Sequence, residues 1–478
     1  MSLQQEALKI FLDNKIQISK PALDLILEQE KPIVAAQELI QLVGPEIITV
    51  LPEHIEQHFK KSTEATISLV DSFTKNSPIK GVRDLSDFFN NRYTYFRKLL
   101  SSRLPGPTSL GNLQKSVDEK VSTIGIVCSK KTTLKGHIMI ELEDPTGTLK
   151  AIIMKPEVKK HAEALVMDEV IGVAGTTKDK VIFVDEIMWP DIPVIREPKT
   201  LKEEVYAVFL SDTHIGSNKF MAKEFSRFLS WMKGGVGDDA QAELVKKIKY
   251  CFVAGDIVDG IGVYPRQDEE LELANIEEQY QKAAEYFSEI PSHVKIVFSP
   301  GNHDFIRLGQ PQPPLDPEVS APLYELRNAE FVGNPSTIKI AEKDNGGLNV
   351  LMYHGVSFDT MITSDPALKD GYTQPQTVMK SLLKRRHLSP PYDTGLVASG
   401  DDQMIIRTVP DIFHTGHVHS NGSGTYRGTT LINSGTWQSQ TAFQKLCGHD
   451  PTPCILPLLN LQNRELKLVD FNYSKNEH

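Results

Sequence analysis

Five short apolar strands, each running into a loop dense with Asp, Asn, His and Gly, constrain this chain more than any other feature. They occur in order as YAVFLSDTHIGS, KYCFVAGDIVDG, VKIVFSPGNHD, LNVLMYHG and PDIFHTGHVHSNG. Helical segments separate the first of them, which predicts an α/β arrangement over residues 200–478. In open α/β sheets the carboxyl ends of neighbouring strands share one crevice. Polar clusters at five such ends can therefore meet. They carry Asp212 and His214, then Asp256 and Asp259, then Asn302, His303 and Asp304, then His354, and last His417 and His419.

These residue types are the ones two divalent cations need. Asp256 can offer one carboxylate oxygen to each of two ions. Asp212 and His214, two positions apart, can reach one ion from one loop. Asn302 supplies a neutral carbonyl oxygen. The imidazoles of His354, His417 and His419 suit Mn, Fe or Zn better than Mg or Ca. Mixed nitrogen and oxygen ligation from several loops fits an open catalytic site rather than a closed structural one. Each piece alone has an ordinary explanation. Asp-x-His can be a loop detail, GNHD a turn with a capping Asp, GHVH a satisfied histidine pair. Their order and their shared position after strands are what single them out.

Upstream, residues 1–65 read as a small helical unit. Apolar residues recur at helical spacing in Ala7, Leu8, Phe11 and Leu12 and again in Leu23, Leu25, Ile26 and Leu27. Ser19-Lys20-Pro21 marks a helix start, and Gly44-Pro45 a break. Residues 66–115 are expected to be helix and linker. Phe88–Leu100 is one helix, used for contact with a partner or neighbouring domain or else simply solvated, and 101–111 is linker by composition. Residues 116–195 change character. Strands near 121–129, 136–143 and 147–154, a helix near 156–165, and strands at 168–175 and 180–188 fit a five-stranded OB-like barrel. A generic small β domain is the alternative. Phe183 and Trp189 are the only Phe, Tyr or Trp between 116 and 193, which leaves little for a base-stacking platform. Within the C-terminal domain, the acidic run Gln267–Tyr286 is expected to be a solvated helix, and Cys447–Cys454 an ordinary loop rather than a zinc site.

Four scattered cysteines make no disulfide framework, so a reducing, cytoplasmic setting is expected. The N-terminus carries charges throughout, so no signal peptide is expected in it, and no window of about 18 apolar residues predicts a membrane span. A net charge of −10 excludes a protein that grips nucleic acid by bulk electrostatics alone. It does not exclude a nucleic-acid substrate, because bound cations invert the local field.

The series D-x-H, GDxxDG, GNHD, HG and GHVH resembles the calcineurin-like metallophosphoesterases. With a helical N-terminus and an OB-like segment ahead of it, the chain is similar to the small subunits of archaeal DNA polymerase D. The resemblance implies a multidomain protein whose last domain is a metallophosphoesterase sandwich. It implies a 3′–5′ proofreading exonuclease that releases 5′-mononucleotides from DNA 3′ ends and binds a large catalytic polymerase subunit. It also implies two divalent cations, Mn before Fe, Zn or Mg. One would be held by Asp212, His214, Asp256 and His419, the other by Asp256, Asn302, His354 and His417. His303 would act beside the metals, its ring oriented by Asp259, and protonate or steady the departing oxygen. Competing readings are a non-catalytic scaffold subunit and another nuclease or phosphodiesterase of the same superfamily.

Overall fold

A computed structural model describes residues 3–27, 32–42, 49–52, 55, 65–73, 81–113, 118–392, 395–397 and 401–472. The expected break at Gly44-Pro45 lies outside the described residues. The chain divides into two units, 1–64 and 65–478. The first contains helices α1 (Leu3–Asp13), α2 (Lys20–Leu27) and α3 (Pro32–Leu42), with a short parallel pair, β1 (Gln17–Ile18) and β2 (Thr49–Val50). Phe11, Ala22, Ile26, Ala36 and Leu39 form its core. Ala7 and Phe11 face inward as their spacing predicts, whereas Leu8 and Leu12 stay exposed.

In the second unit, strand β3 (Ile67–Ser72) comes before helix α4 (Val82–Ser101). The expectation of helix and linker for 66–115 therefore needs correction: β3 pairs antiparallel with Ser336–Ile340, hundreds of residues downstream. Its sequence, ISLVDS, has four exposed positions in six, as an edge strand does, and shows no alternation to reveal it.

Next comes a closed barrel. Its strands are β4 (Lys120–Thr132), β5 (Ile138–Asp144), β6 (Gly147–Ile153), β7 (Val170–Lys178) and β8 (Val181–Met188), in the order β4-β5-β6-β8-β7. The β6–β8 pair is parallel and β7 returns to β4, so no edge is left open. Alternate residues such as Ile138, Ile140, Leu142, Ala151 and Ile153 fill the interior. Trp189 is buried with its indole N–H donated to Glu169, 2.9 Å away, so it offers no face to a base.

The remaining strands form two six-stranded sheets packed face to face. One contains β9 (Tyr206–Leu210), β10 (Ile248–Ala254), β11 (Lys295–Ser299), β12 (Ala329–Phe331), β18 (Ile455–Asn460) and β19 (Leu466–Asp470). The other contains β3, β13 (Ser336–Ile340), β14 (Leu348–Met352), β15 (Ile412–Thr415), β16 (Asn421–Tyr426) and β17 (Thr429–Ser434). Period-two alternation divides the inner strands between two cores. Ala207 and Phe209 of β9 meet Ile338, Val350 and Ile412 between the sheets, while Val208 and Leu210 face the outer helices with Phe225, Phe228 and Phe287. The second sheet does likewise: Leu351, Phe413 and Leu431 pack against Met361, Val378 and Leu382.

Buried ion pairs join the barrel to this sandwich. Arg385 of the sandwich lies 2.9 Å from Glu169 of the barrel, both buried. Arg92 on α4 lies 2.6 Å from the buried Asp402 and donates to the carbonyls of Asp168 and Pro390 at 2.9 and 2.7 Å. Of the two uses expected for this helix, packing against neighbouring structure is the one observed: Tyr93, Phe96 and Leu100 pack with Ile124, Ile126 and Val170 of the barrel and Ile405 of the sandwich.

His387 touches the same Asp402 through Nε2 at 2.9 Å, and its Nδ1 accepts the Ser389 N–H at 3.0 Å. That pairing requires a neutral ring. Burial, with Arg92 assisting against Asp402, holds the His387 pKa down at about 4. Unfolded, the ring titrates near 6.5, so the unfolded chain binds more protons between these values. Stability is then full above about pH 6.5 and is lost as pH falls toward 4, by about 3 kcal/mol from this group. Thermal midpoints measured from pH 7 to 4 should fall less steeply in His387→Gln than in the unsubstituted chain. Parallel curves would refute the assignment.

Candidate metal centre

The five polar loops converge at the carboxyl ends of β9, β10, β11, β14 and β15. β9–β11 are parallel neighbours in one sheet, and β14 and β15 are parallel neighbours in the other. Five of the seven residues expected to bind metal lie in the left-handed region: Asp212, His214, Asp256, His417 and His419 have φ between 48° and 72°. An L residue occupies that region at a cost, and such strain gathers where side chains must be aimed. The glycines beside them serve the same packing. Gly255 has φ 85°, and a Cβ there would meet Gly301 and His354 within 2.7 Å; a Cβ on Gly301 would strike the Asp256 carboxylate at 2.2 Å.

Two groups of ligand atoms result. In one, His214 Nε2 lies 3.0 Å from His419 Nε2, 3.9 Å from Asp212 Oδ1 and 3.8 Å from Asp256 Oδ2. His419 Nε2 is 3.4 Å from Asp212 Oδ1. In the other, His354 Nε2 is 3.2 Å from Asp256 Oδ2 and 3.0 Å from Asn302 Oδ1, which is also 3.0 Å from His417 Nδ1. Asp256 Oδ2 thus faces a histidine of each group. Ligand-capable atoms of Asp212, His214 and His419, and of Asp212, Asp256 and His354, lie within 4.8 Å of one another.

The donor set fits metal binding: Asp212, His214, Asp256, His354 and His419 are buried, Asn302 and His417 partly so, and the His and Asp ligand atoms cluster within a few ångströms. Burial opposes ionisation of Asp256, but His354 and His303 outweigh it and hold the acid well below its ordinary range. Burial likewise opposes charge on His354, but Asp256 and Asp212 outweigh it and push the ring up to about 10. This centre demands positive charge, supplied by protons or by metal, and binding metal releases those protons.

Surrounding hydrogen bonds set the rings. His354 Nδ1 bonds the Ala254 carbonyl at 2.8 Å, which turns Nε2 toward Asp256. Asp259 Oδ1 lies 3.0 Å from His214 Nδ1, and its carboxylate accepts from the Gln267 and Gln438 amides, each at 2.9 Å. The expected role of Asp259 changes accordingly. Its carboxylate orients His214, and only its backbone carbonyl, 2.7 Å from His303 Nδ1, orients His303. Burial, against the pull of Asp256, lowers the His303 pKa to about 4, so the ring is neutral at rest.

Asp304 closes the GNHD loop. It accepts from Gly301 N–H at 2.8 Å and Ile257 N–H at 3.2 Å, and burial beside Asp256 raises it to about 7.

Several supporting residues had no local signal. Gln267 falls in the acidic run read as a solvated helix. That run is a 3₁₀ turn, Gln267–Glu269, followed by α5 (Ile276–Phe287), and both Gln267 and Gln279 are buried. Gln279 receives the Gly260 N–H at 2.9 Å, which supports the GDxxDG loop. Asp359, on the helix Phe358–Ser364, stands 2.9 Å from His417 Nε2 and accepts the Tyr372 hydroxyl at 2.8 Å. Nothing in its neighbourhood of sequence marks it. Asp359→Asn should weaken Mn binding by roughly 10- to 100-fold by loosening His417. Calorimetric titration of the metal-free protein checks this, and an unchanged affinity would remove Asp359 from the site. Cys447 is exposed and Cys454 buried, both free, and no metal cluster involves them among the described residues.

Among the described residues, no helix is long and apolar enough to cross a membrane. The family profile for the B-subunits of DNA polymerases alpha and epsilon matches residues 207–422. A DNA polymerase II small subunit of Methanothermobacter thermautotrophicus is 42% identical over 82% of this chain and 80% of its own. Its counterpart in Archaeoglobus fulgidus is 40% identical over 86% of this chain and 82% of its own. That of Methanocaldococcus jannaschii is 37% identical over 87% and 71%. A solved structure titled as a novel archaeal phosphodiesterase covers 55% of this chain and 99% of that one at 13% identity and a TM-score of 0.27, too distant a likeness to bear on the site. With the polymerase relatives matching more than four fifths of its length, the chain belongs to the family of archaeal DNA polymerase II small subunits.

Proposed function

We propose that this chain is a metal-dependent 3′–5′ exonuclease, the proofreading small subunit of a two-subunit DNA polymerase. The observation that carries the reading is Asp256 Oδ2 standing between His214 Nε2 and His354 Nε2, at 3.8 and 3.2 Å. One carboxylate shared by two histidine-rich groups is the arrangement a cation pair requires. In this proposal Asp212, His214, Asp256 and His419 hold one ion, and Asp256, Asn302, His354 and His417 the other. Mn is favoured by the imidazole content. Such a pair supplies Lewis acidity at the phosphodiester and a water acidic enough to ionise near neutral pH.

The chain's own residues do the rest. Asp259 holds His214 in one orientation, and Asp304 fixes the loop that carries Asn302 and His303. His303 presents its ring beside Asp256, with Nδ1 tied to the Asp259 carbonyl. Neutral at rest, it gains a proton when a phosphate anion approaches, since a nearby negative charge favours the cationic ring. It then donates that proton to the departing 3′-oxygen and leaves a 5′-mononucleotide as the product. Residues 200–478 are the calcineurin-like catalytic domain in this reading, 116–195 an OB-like barrel and 1–65 a separate helical domain. The large polymerase subunit is the proposed partner.

The test is Mn-dependent digestion of a labelled single-stranded oligonucleotide by the chain alone and with the large subunit. His303→Ala should lose roughly 100-fold or more in kcat, the usual worth of a general acid. Metal binding without release of nucleotide, with the large subunit present, would mean a scaffold subunit instead.

A further inference from the structure

The candidate metal centre opens into a cavity of about 310 Å³. That is near the lower limit of ligand pockets and has room for one nucleoside rather than a duplex. Beyond the metal-facing residues its walls include Tyr264 and Phe443 on one side and Tyr372 and His449 on another. The first two rings lie 5.7 Å apart at 30°, and the second two 4.2 Å apart at 32°. Phe443 is 44% exposed. Among the described residues, neither Lys nor Arg lines the cavity. A phosphate there would meet metal and His303, and four aromatic rings, those of Tyr264, Tyr372, Phe443 and His449, share the rest of the wall with small apolar and amide side chains.

Both aromatic pairs are tied to candidate metal ligands. Phe443 sits on the helix Ala442–Cys447, whose start is a capping box between Thr441 and Gln444. The Gln444 amide reaches His419 Nδ1 at 2.7 Å. Tyr264 donates to Glu270 at 3.2 Å, and the other oxygen of Glu270 receives the Ala442 N–H at 3.1 Å. Across the cavity, the Tyr372 hydroxyl reaches His417 through Asp359. The aromatic rim is therefore built at a set distance from the metal centre.

We infer that this rim receives the 3′-terminal base of a single DNA strand by stacking, chiefly on Phe443, while its phosphate lies at the metal centre. The inference rests on the exonuclease reading and names the part of the substrate that this chain recognises. Every base has a π-face, and the polar side chains nearby, Gln438 and Gln444, are already engaged with Asp259 and His419. Recognition is thus indifferent to which base is present but demands that there be one.

Two measurements on the full chain test it. An oligonucleotide with 2-aminopurine at its 3′ end, bound in Ca²⁺, should lose fluorescence on stacking. Phe443→Ala should abolish that quenching and Phe443→Trp restore it. In Mn²⁺, a strand ending in an abasic nucleotide should be cleaved with a kcat/KM on the order of 10-fold or more below that of one ending in thymidine, mainly through KM. Phe443→Ala should erase the difference. Unchanged quenching in Phe443→Ala, or equal cleavage of the two ends by the unsubstituted chain, overturns the inference and leaves the exonuclease reading standing. Absence of any cleavage, with quenching intact, overturns the exonuclease reading and leaves the stacking site.

Discussion

Asp256→Asn should reduce hydrolysis of single-stranded DNA by roughly three orders of magnitude or more, equivalent to ~4 kcal/mol or more in the barrier. The carboxylate is buried, and one of its oxygens stands within 4 Å of histidines from both ligand groups. The amide is nearly the same size but carries no charge and has one oxygen instead of two. On the proposed reading it cannot balance two cations, so both ligand groups should lose affinity for metal. The same substitution frees His354, whose elevated pKa depends on Asp256. Folding and metal binding separate cleanly in a thermal scan. The unsubstituted chain should gain thermal stability with added Mn, because a ligand of the folded state stabilises it by mass action. Asp256→Asn should keep a cooperative transition and lose most of that gain. Full activity in this variant would remove the shared carboxylate from the site.

Arg92→Ala should be strongly destabilising although it lies away from the metal centre. The guanidinium is buried, stacks near Phe88 and Phe89 at 5.2 and 5.3 Å, and joins α4 to Asp402, Asp168 and Pro390. Its removal leaves the Asp402 carboxylate buried without its cation, beside a neutral His387 and the Met404 N–H at 2.9 and 3.0 Å. Breaking one side of a buried pair costs about 3–5 kcal/mol. The thermal midpoint of this large unit should fall by roughly 3 to 6 °C. Adding Asp402→Asn to Arg92→Ala should recover part of the loss, since the orphaned charge goes with it. An unchanged midpoint would show that the barrel and the sandwich hold together without this contact.

The two substitutions act on layers of the structure that differed in how plainly the sequence revealed them. The candidate metal centre was legible as a convergence of side chains because its chemistry is concentrated. Asp212, His214, Asp256, Asn302, His354, His417 and His419 sit directly after apolar strands, and parallel strands bring their carboxyl ends together. The barrel was legible for a related reason: its hairpins are local, and each pairs strands close in sequence. What failed was anything that depends on a distant neighbour. β3 is a polar strand recruited by Ser336–Ile340, and its residues carry no periodicity of their own. Gln267 looked like part of a solvated acidic run because nothing in that run reveals that its amide is held by the Asp259 carboxylate and carbonyl.

The roles around His303 show the boundary most closely. The resemblance to the metallophosphoesterases implied that the Asp259 side chain and His303 work together. The tertiary structure gave the Asp259 carboxylate to His214 and left His303 its backbone carbonyl. Asp359, Tyr372 and the Gln444 link to His419 likewise appeared only in three dimensions. The sequence by itself determined which side chains can bind metal and on which strand ends they stand, because strand periodicity and ligand chemistry are local properties. Only the tertiary structure decided which partner each of them holds, because a hydrogen bond only a few ångströms long depends on where loops far apart in sequence come to rest.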